Sequence, residues 1–547
     1  MLKSFFCFKE VIIMLQIKAL KKNFGLQEIL KNASFSVSKG DCVALTGPNG
    51  SGKTTLLRCI TGEIKPDNGK ILKKTELKIG YLKQNDVVYS GKVKYYLLKE
   101  KENLPDIYQK IENTTEKGME FADYMDQFIQ FGGFELEAEA IRELAFFDYD
   151  QSLLEKRMNT LSLGQRKVME IISLLISNPD LFIMDEPTNH LDIAMRVYLE
   201  NLINQKRKNG KTFLIVSHDR TFLDRIATKT VYIKRGITEQ ATGGYSHMLA
   251  HLNEKFAAAK KESETINKKI RSLESLVTTK KNWSAKAEKE KNQRGVDKGF
   301  LGHKAAKIAQ SAMAYSAKKQ KLIKELEEKK PFVEKAVKIN CQSYEVPNRL
   351  FIDVEDCTFG YDKQHLLYQN VTFQIQTKDK IALIGPNGCG KTTFFRMISG
   401  KLPPLTGKIY RNPKICVTYI SQAIASFYKN EILIDNFNDL NLEHSMIHSA
   451  LKASRLKEET LERRVSELSR GELMKSALVK LILSQSEFVF MDEPTNHLDV
   501  ETLEVLQELI NQFPGGMFFI SHDRRFVSQN SDLIYHLKDK KMKIVRL

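Results

Sequence analysis

The sequence predicts an α/β protein made of two tandem copies of one domain, joined by a long antiparallel α-helical hairpin. Three observations predict it. Gly47-Pro-Asn-Gly-Ser-Gly-Lys-Thr-Thr55 returns as Gly385-Pro-Asn-Gly-Cys-Gly-Lys-Thr-Thr393. The string EPTNHLD stands at 186–192 and again at 493–499, each time after an apolar run closed by an Asp, Asp185 or Asp492. Between the copies, residues 251–330 are dominated by Lys, Glu and Ala.

Residues 1–13 are expected to be a disordered extension. Lys9 and Glu10 break their apolar run and no small-residue cleavage site follows, which disfavours a signal peptide. The first strand is expected from Met14 (MLQIKAL), opening a first domain over 14–245. Gly47 and Gln84 recur at an offset of 338, as Gly385 and Gln422. Ser162 and Asp185 recur at 307, as Ser469 and Asp492, so the first half carries 31 additional residues between Gln84 and Ser162. Tyr/Leu and Glu/Lys at helical spacing there predict a helical arm over about 88–147.

A linker follows over 246–345. Its apolar residues (Ile266, Ile270, Leu273, Val277, then Ala305, Ile308, Ala312, Tyr315, Leu322, Leu326) advance in steps of three and four, with Lys319 on the seam. The glycines of QRGVDKGFLG, 293–302, end a helix. The expectation is a hairpin of about 45 and about 30 residues, its arms on the order of 45–65 Å long at 1.5 Å per residue. Its tip is expected at 283–304, and the second domain over 346–547.

Composition narrows the function. With 42% apolar and 28% charged residues, the chain reads as a soluble globular protein of several domains. No apolar run approaches the roughly 18 residues that span a bilayer, so no membrane domain is expected. Seven cysteines form no C-x-x-C pair, and an odd number cannot all pair, which fits a reducing cytoplasm. The net charge of +18 points to a polyanionic partner, with nucleic acid foremost. Residues 251–330 hold 21 Lys or Arg against 10 Asp or Glu, so most of the surplus lies in the hairpin. A merely solvated charged face is the competing reading.

The chemistry follows from the repeats. In G-x-x-x-x-G-K-T the glycines (Gly47, Gly50, Gly52; Gly385, Gly388, Gly390) let backbone N–H groups converge on phosphate oxygens at a helix N-terminus, with Asn49, Thr55, Asn387 and Thr393 in the same loops. Lys53 and Lys391 are then expected on the β- and γ-phosphates, and Thr54 and Thr392 on Mg²⁺. Asp185 and Asp492 are expected to help hold Mg²⁺, and Glu186 and Glu493 to polarise the attacking water. His218 and His522 close apolar strands where an imidazole can reach a γ-phosphate. Phe24, and Phe359 or Tyr361, are placed either to stack on adenine or to fill the core. Cys389 stands where the first loop has Ser51, as a small filler or an oxidation-sensitive spot.

This ordered set resembles the P-loop, Gln loop (Gln84, Gln422), LSxG signature, acidic strand end and His switch of ATP-binding cassette proteins. Tandem cassettes with EPTNHLD, a basic two-helix linker and no membrane domain resemble the ABC-F family. The resemblance implies two tandem P-loop ABC ATPase domains docked head to tail around two ATP and Mg²⁺. Gln84 and Gln422 would also approach the metal. Ser469, Gly471 and Glu472 would complete the Lys53 site, and Ser162, Gly164 and Gln165 the Lys391 site. Leu163 and Arg470 replace the first glycine of the family's LSGGQ signature. Both Glu residues survive, so both sites are expected to hydrolyse ATP.

The family further implies a cytoplasmic, monomeric translation factor on the ribosome. It would contact large-subunit rRNA at the tRNA exit site and peptidyl-tRNA, and its linker would reach toward the peptidyl-transferase centre. Trp283, Arg294, Lys298, Phe300, His303 and Lys304 are the tip residues expected to touch RNA, or to close the hairpin. The linker resembles that of members conferring resistance to pleuromutilins, lincosamides and streptogramins A. A housekeeping translation factor, a transport-associated ATPase and a DNA-binding ATPase are the alternatives. The short stretch after His522 is expected to exclude dependence on the C-terminal extension of some members.

Overall fold

The computed structural model describes residues 12–84, 89–99, 103–114, 118–291, 306–307, 310–311, 313–321, 339, 344–360, 366–538 and 540–545. The chain divides into two compact units: residues 1–248 with 337–547, and residues 249–336.

The first unit holds both α/β repeats. In the first repeat, strands β1 (Ile13–Phe24), β2 (Gln27–Ser38), β3 (Cys42–Thr46), β4 (Asn68–Lys73), β5 (Ile79–Leu82), β6 (Leu181–Asp185), β7 (Thr212–Val216), β8 (Lys229–Lys234) and β9 (Ile237–Thr242) form one sheet. Its order is β4-β1-β2-β9-β8-β3-β7-β6-β5. β5, β6, β7, β3 and β8 run parallel, whereas β1, β2 and β4 pair antiparallel. Every residue of β3, β6 and β7 is buried, because helices cover both faces of a parallel sheet. Hence CVALT, LFIMD and TFLIV read as unbroken apolar runs rather than alternating ones.

The second repeat divides the same layers between two sheets. Strands β10 (Leu350–Gly360), β11 (Leu366–Gln376) and β13 (Thr406–Arg411) make the antiparallel one. The other combines β12 (Lys380–Ile384), β14 (Val417–Ile420), β15 (Phe488–Asp492), β16 (Gly516–Ile520), β17 (Leu533–Lys538) and β18 (Lys541–Val545) in the order β14-β15-β16-β12-β17-β18. In the first repeat a single pairing, Asn32 with Ile237, joins the corresponding halves.

Between Gln84 and Ser162 the chain forms helices Val93–Leu97, Leu104–Asn113, Met119–Gln130 and Gly133–Phe146. Leu98, Leu104, Ile107 and Phe128 bury into a small core of their own. The helix Tyr245–Lys291 runs for 47 residues, and its part in the second unit buries Ile266, Ile270 and Leu273 on one stripe. Lys319 on the facing segment pairs with Glu274 at 2.8 Å, which compensates a cation at a seam position. Among the described residues no helix is long and apolar enough to cross a membrane.

Candidate active site

The carboxyl ends of β3, β6 and β7 carry the P-loop, Glu186 and His218, so parallel pairing delivers three distant motifs to one edge. β12, β15 and β16 do the same for Lys391, Glu493 and His522. Each P-loop presses against its own sheet. A Cβ on Gly47 would lie 2.2 Å from the Ile233 carbonyl oxygen, and one on Gly385 2.4 Å from that of Leu537. Only glycine fits there, at φ 148° and 157°.

The helices Lys53–Thr61 and Lys391–Ile398 start directly after these loops. Their lysines are 8% exposed, and each ammonium donates to two loop carbonyls. Lys53 reaches Gly47 and Pro48 at 2.8 and 2.9 Å, and Lys391 reaches Gly385 and Pro386 at 2.9 Å each. Burial lowers the Lys53 pKa, and the nearby Glu186 partly opposes this. Thr54 Oγ1 donates to Asp185 Oδ2 at 3.0 Å, and Thr392 hydrogen-bonds Asp492 likewise.

Glu186 and Glu493 occupy left-handed backbone, φ 53° and 52°, a costly conformation for a residue with a Cβ. Their amides donate to Val216 and Ile520 of the neighbouring strands, which holds the turn. Burial and then Asp185 push Glu186 up to about 8, against Lys53. Burial pushes Glu493 up to about 7, and Lys391 opposes it. His218 Nε2 lies 3.4 Å from Glu186 Oε1, and His522 Nε2 3.3 Å from Glu493 Oε1. Burial drives His218 down to about 3 and His522 well below its ordinary value, so both imidazoles are neutral at physiological pH.

The two repeats meet across these loops. The Asn49 amide donates to Asp499 Oδ2 at 2.7 Å, and the Asn387 amide to Asp192 Oδ2 at 3.2 Å. Asn387 Nδ2 also donates to the His190 carbonyl at 2.7 Å. Arg196 donates to Asp219 at 2.8 Å and to the His522 carbonyl at 3.1 Å. Glu200 pairs with Arg524, and Tyr232 and Lys234 reach Glu501 at 2.8 Å each.

Two cavities result. One, of ≈ 490 Å³, brings together Phe24, Asn49, Gly50, Gly52, Lys53, Thr54, Thr55, Gln84, Asp185, Glu186 and His218 with Thr495 to Leu498 of the other repeat. The second, of ≈ 450 Å³, joins Asn387, Gly388, Gly390, Lys391, Thr392, Thr393, Gln422, Glu493 and His522 with Ser162, Leu163 and Gly164. Ser469 and Gly471 do not line the first cavity. Both signature serines cap their helices, Ser162 accepting from the Gln165 amide at 3.2 Å and Ser469 from that of Glu472 at 3.3 Å. Ser469 Oγ also donates to Glu472 Oε2 at 2.7 Å, whereas Gln165 accepts only the Ser162 amide among the described residues.

Phe24 is half-exposed at the first cavity. Of the two readings for Phe359, the core is the one the structure shows. Phe359 is 5% exposed and stacks on Tyr368, because alternation along β10 turns it into the core. Tyr361, Arg294, Lys298, Phe300, His303 and Lys304 lie outside the described residues. Trp283 is 54% exposed, with the Lys280 ammonium 5.1 Å from its ring centre. Reading by motif missed Asp192, Asp499, Arg196 and the structural part of Arg470. The two aspartates had a signal, since the repeated string runs on to them. The arginines had none, because Leu503 and Leu163 replace them in the other repeat.

The cavities suit a nucleoside triphosphate in size, and their floors supply helix N-termini and a buried ammonium. The carboxylates there fit a divalent cation. Burial raises the pKa of Asp185 and Asp492, and Asp492 Oδ1 is buried without a hydrogen-bond partner among the described residues. Among those residues no cluster of three His, Cys, Asp or Glu could hold a metal alone.

Comparison with known proteins agrees with this architecture. The ABC transporter family model matches residues 30–189 and 368–496. The chain is 30% identical to ABC transporter F family member 2 of Arabidopsis thaliana, over 96% of its own length and 76% of that protein. It is 28% identical to the ribosome protection protein VmlR of Bacillus subtilis (strain 168), over 96% and 87%. The solved structure of an RNase-L inhibitor shares the fold at a TM-score of 0.62 and 20% identity, covering 96% of this chain and 90% of that one.

Proposed function

Because the chain belongs to the ABC-F family of ATP-binding cassette proteins, an ABC ATPase with two cassettes, we propose that it is an ATP-driven translation factor of the ribosome. Its site would lie at the tRNA exit region, and its linker would approach peptidyl-tRNA and the peptidyl-transferase centre. The carrying observation is the reciprocal pair Asn49–Asp499 and Asn387–Asp192, which makes each P-loop part of a wall shared by both cassettes. Nucleotide held there contacts both halves, so hydrolysis changes what holds them together.

Within each site the proposed roles follow the geometry. Lys53 and Lys391 would hold phosphate oxygens, while Thr54 with Asp185 and Thr392 with Asp492 would hold Mg²⁺. The metal would neutralise charge on the β- and γ-oxygens. Glu186 and Glu493 accept the proton of the attacking water, their raised pKa matched to that task near neutral pH. Neutral His218 and His522 orient the γ-phosphate. Gln84 and Gln422 border the same cavities. Leu163 in place of a signature glycine leaves Ser162 and Gly164 at the Lys391 cavity.

The charge of residues 251–330 supports an RNA partner, because a basic hairpin binds phosphates without sequence preference. Protein carrying Glu186→Gln and Glu493→Gln, sedimented with ribosomes in ATP, tests the reading. Co-pelleting that weakens with salt is the expected result, and protein left in the supernatant rejects it. Likeness to VmlR, named a ribosome protection protein, supports ribosome protection; the finer form proposed, from the linker's resemblance, is resistance to pleuromutilins, lincosamides and streptogramins A. Expression in a drug-sensitive host, with and without residues 293–302, tests that form. Unchanged sensitivity with the intact chain leaves a housekeeping factor.

A further inference from the structure

We propose that Arg470 is a positioning residue of the Lys391 site, and that it makes the two ATP sites mechanically unequal. The inference rests on reading Glu493 as the water-polarising carboxylate of that site. Arg470 follows the signature Ser469, where the family signature has a glycine. Its Nη1 donates to the Gln422 carbonyl and its Nη2 to the Glu493 carbonyl, each at 3.0 Å. A planar guanidinium has the fork needed to hold two carbonyls at a set separation. On the remaining side, Arg196 donates to the His522 carbonyl. The main-chain carbonyls of Gln422, Glu493 and His522 at this site are therefore all held by arginine side chains.

The first site is built otherwise. Leu163 takes the place of Arg470 and Leu503 that of Arg196. Among the described residues no side chain donates to the Gln84, Glu186 or His218 carbonyls. Leu163 is 45% exposed and borders the Lys391 cavity instead. The Glu493 turn sits in left-handed backbone, so its carbonyl orientation sets where the carboxylate points. Fixing that carbonyl to the neighbouring Gln422 loop pre-positions the base before nucleotide arrives.

The test separates the sites by silencing one at a time. In full-length Glu186→Gln protein saturated with ATP, single-turnover cleavage reports the Lys391 site. In Glu493→Gln protein it reports the Lys53 site. Adding Arg470→Leu is expected to slow cleavage about tenfold in the first background and less than about twofold in the second, with ATP affinity preserved. Arg470→Lys keeps the charge but cannot span both carbonyls, and should fall between. Activity retained at the Lys53 site also shows that the variant folds. Equal slowing at both sites, or none at the Lys391 site, overturns the proposal. Should Glu493→Gln itself leave Lys391-site cleavage intact, the reading of Glu493 falls first and the proposal with it.

Discussion

The main-chain amide of Asn49 donates to the carboxylate of Asp499, 450 positions later, at 2.7 Å. Asp499 divides its two oxygens. Oδ1 caps the helix Val500–Gln512 by accepting from the Thr502 amide at 2.8 Å, and Oδ2 reaches the opposite P-loop. Burial alone would raise its pKa, but the Asn49 and Thr502 donors outweigh burial and lower it. Asp192 repeats the arrangement with Met195 and Asn387. One side chain thereby ties helix position in one cassette to loop position in the other.

Asp499→Ala removes both bonds. The cap accounts for about 1 kcal/mol and the charge-assisted bond for about 1.5–3 kcal/mol, so urea unfolding should show a loss of that order. Asp499→Asn keeps an acceptor oxygen and should lose less. Equal stability of the alanine variant and the wild type would refute the shared role.

Glu186→Gln and Glu493→Gln should each slow cleavage at their own site by about 10²–10⁴-fold. Binding of ATP should persist, since neither carboxylate holds a P-loop. Equilibrium binding of labelled ATP beside rapid-quench cleavage separates the effects. Lost binding in either variant contradicts the assignment.

Arg196→Leu copies Leu503 of the other repeat yet should be harmful. It leaves Asp219, 8% exposed, without its guanidinium, at a cost of about 3–5 kcal/mol. Adding Asp219→Asn should recover part of the loss, so the double variant is more stable than the sum of single effects requires. Strict additivity in urea unfolding would show that the pair is not coupled.

Cys389 lies within the P-loop, and burial raises its thiol pKa. The thiolate is the reactive form, so iodoacetamide labelling at neutral pH should lag behind the exposed Cys416 and rise as pH increases. ATP should slow it further. Peptide mapping reads each site, and labelling of Cys389 indifferent to ATP would place the thiol away from bound phosphate.

Much of this was legible beforehand because the repeats are local strings. Apolar runs closed by Asp185-Glu186 and Asp492-Glu493 declare buried parallel strands with carboxylates at their ends, and both are found so. Phe359 was open between stacking and the core, and the core is where it lies, since period-two alternation sets a strand residue's face and the strand's limits were not evident in the sequence. Phe24 is half-exposed at the first cavity, at the end of β1, where register shifts interrupt the alternation.

Sequence by itself determined the paired P-loops, their acidic partners, the helices between Gln84 and Ser162 and the long helix of the basic linker, because each is written in contiguous residues at set spacing. Tertiary structure alone decided that Asp499 meets Asn49, that Arg196 reaches the His522 carbonyl, and that Arg470 grips Gln422 and Glu493. Those contacts join segments tens to hundreds of positions apart. Hydrogen-bond geometry depends on distances of a few tenths of an ångström, which sheet register and cassette docking set and no local string encodes.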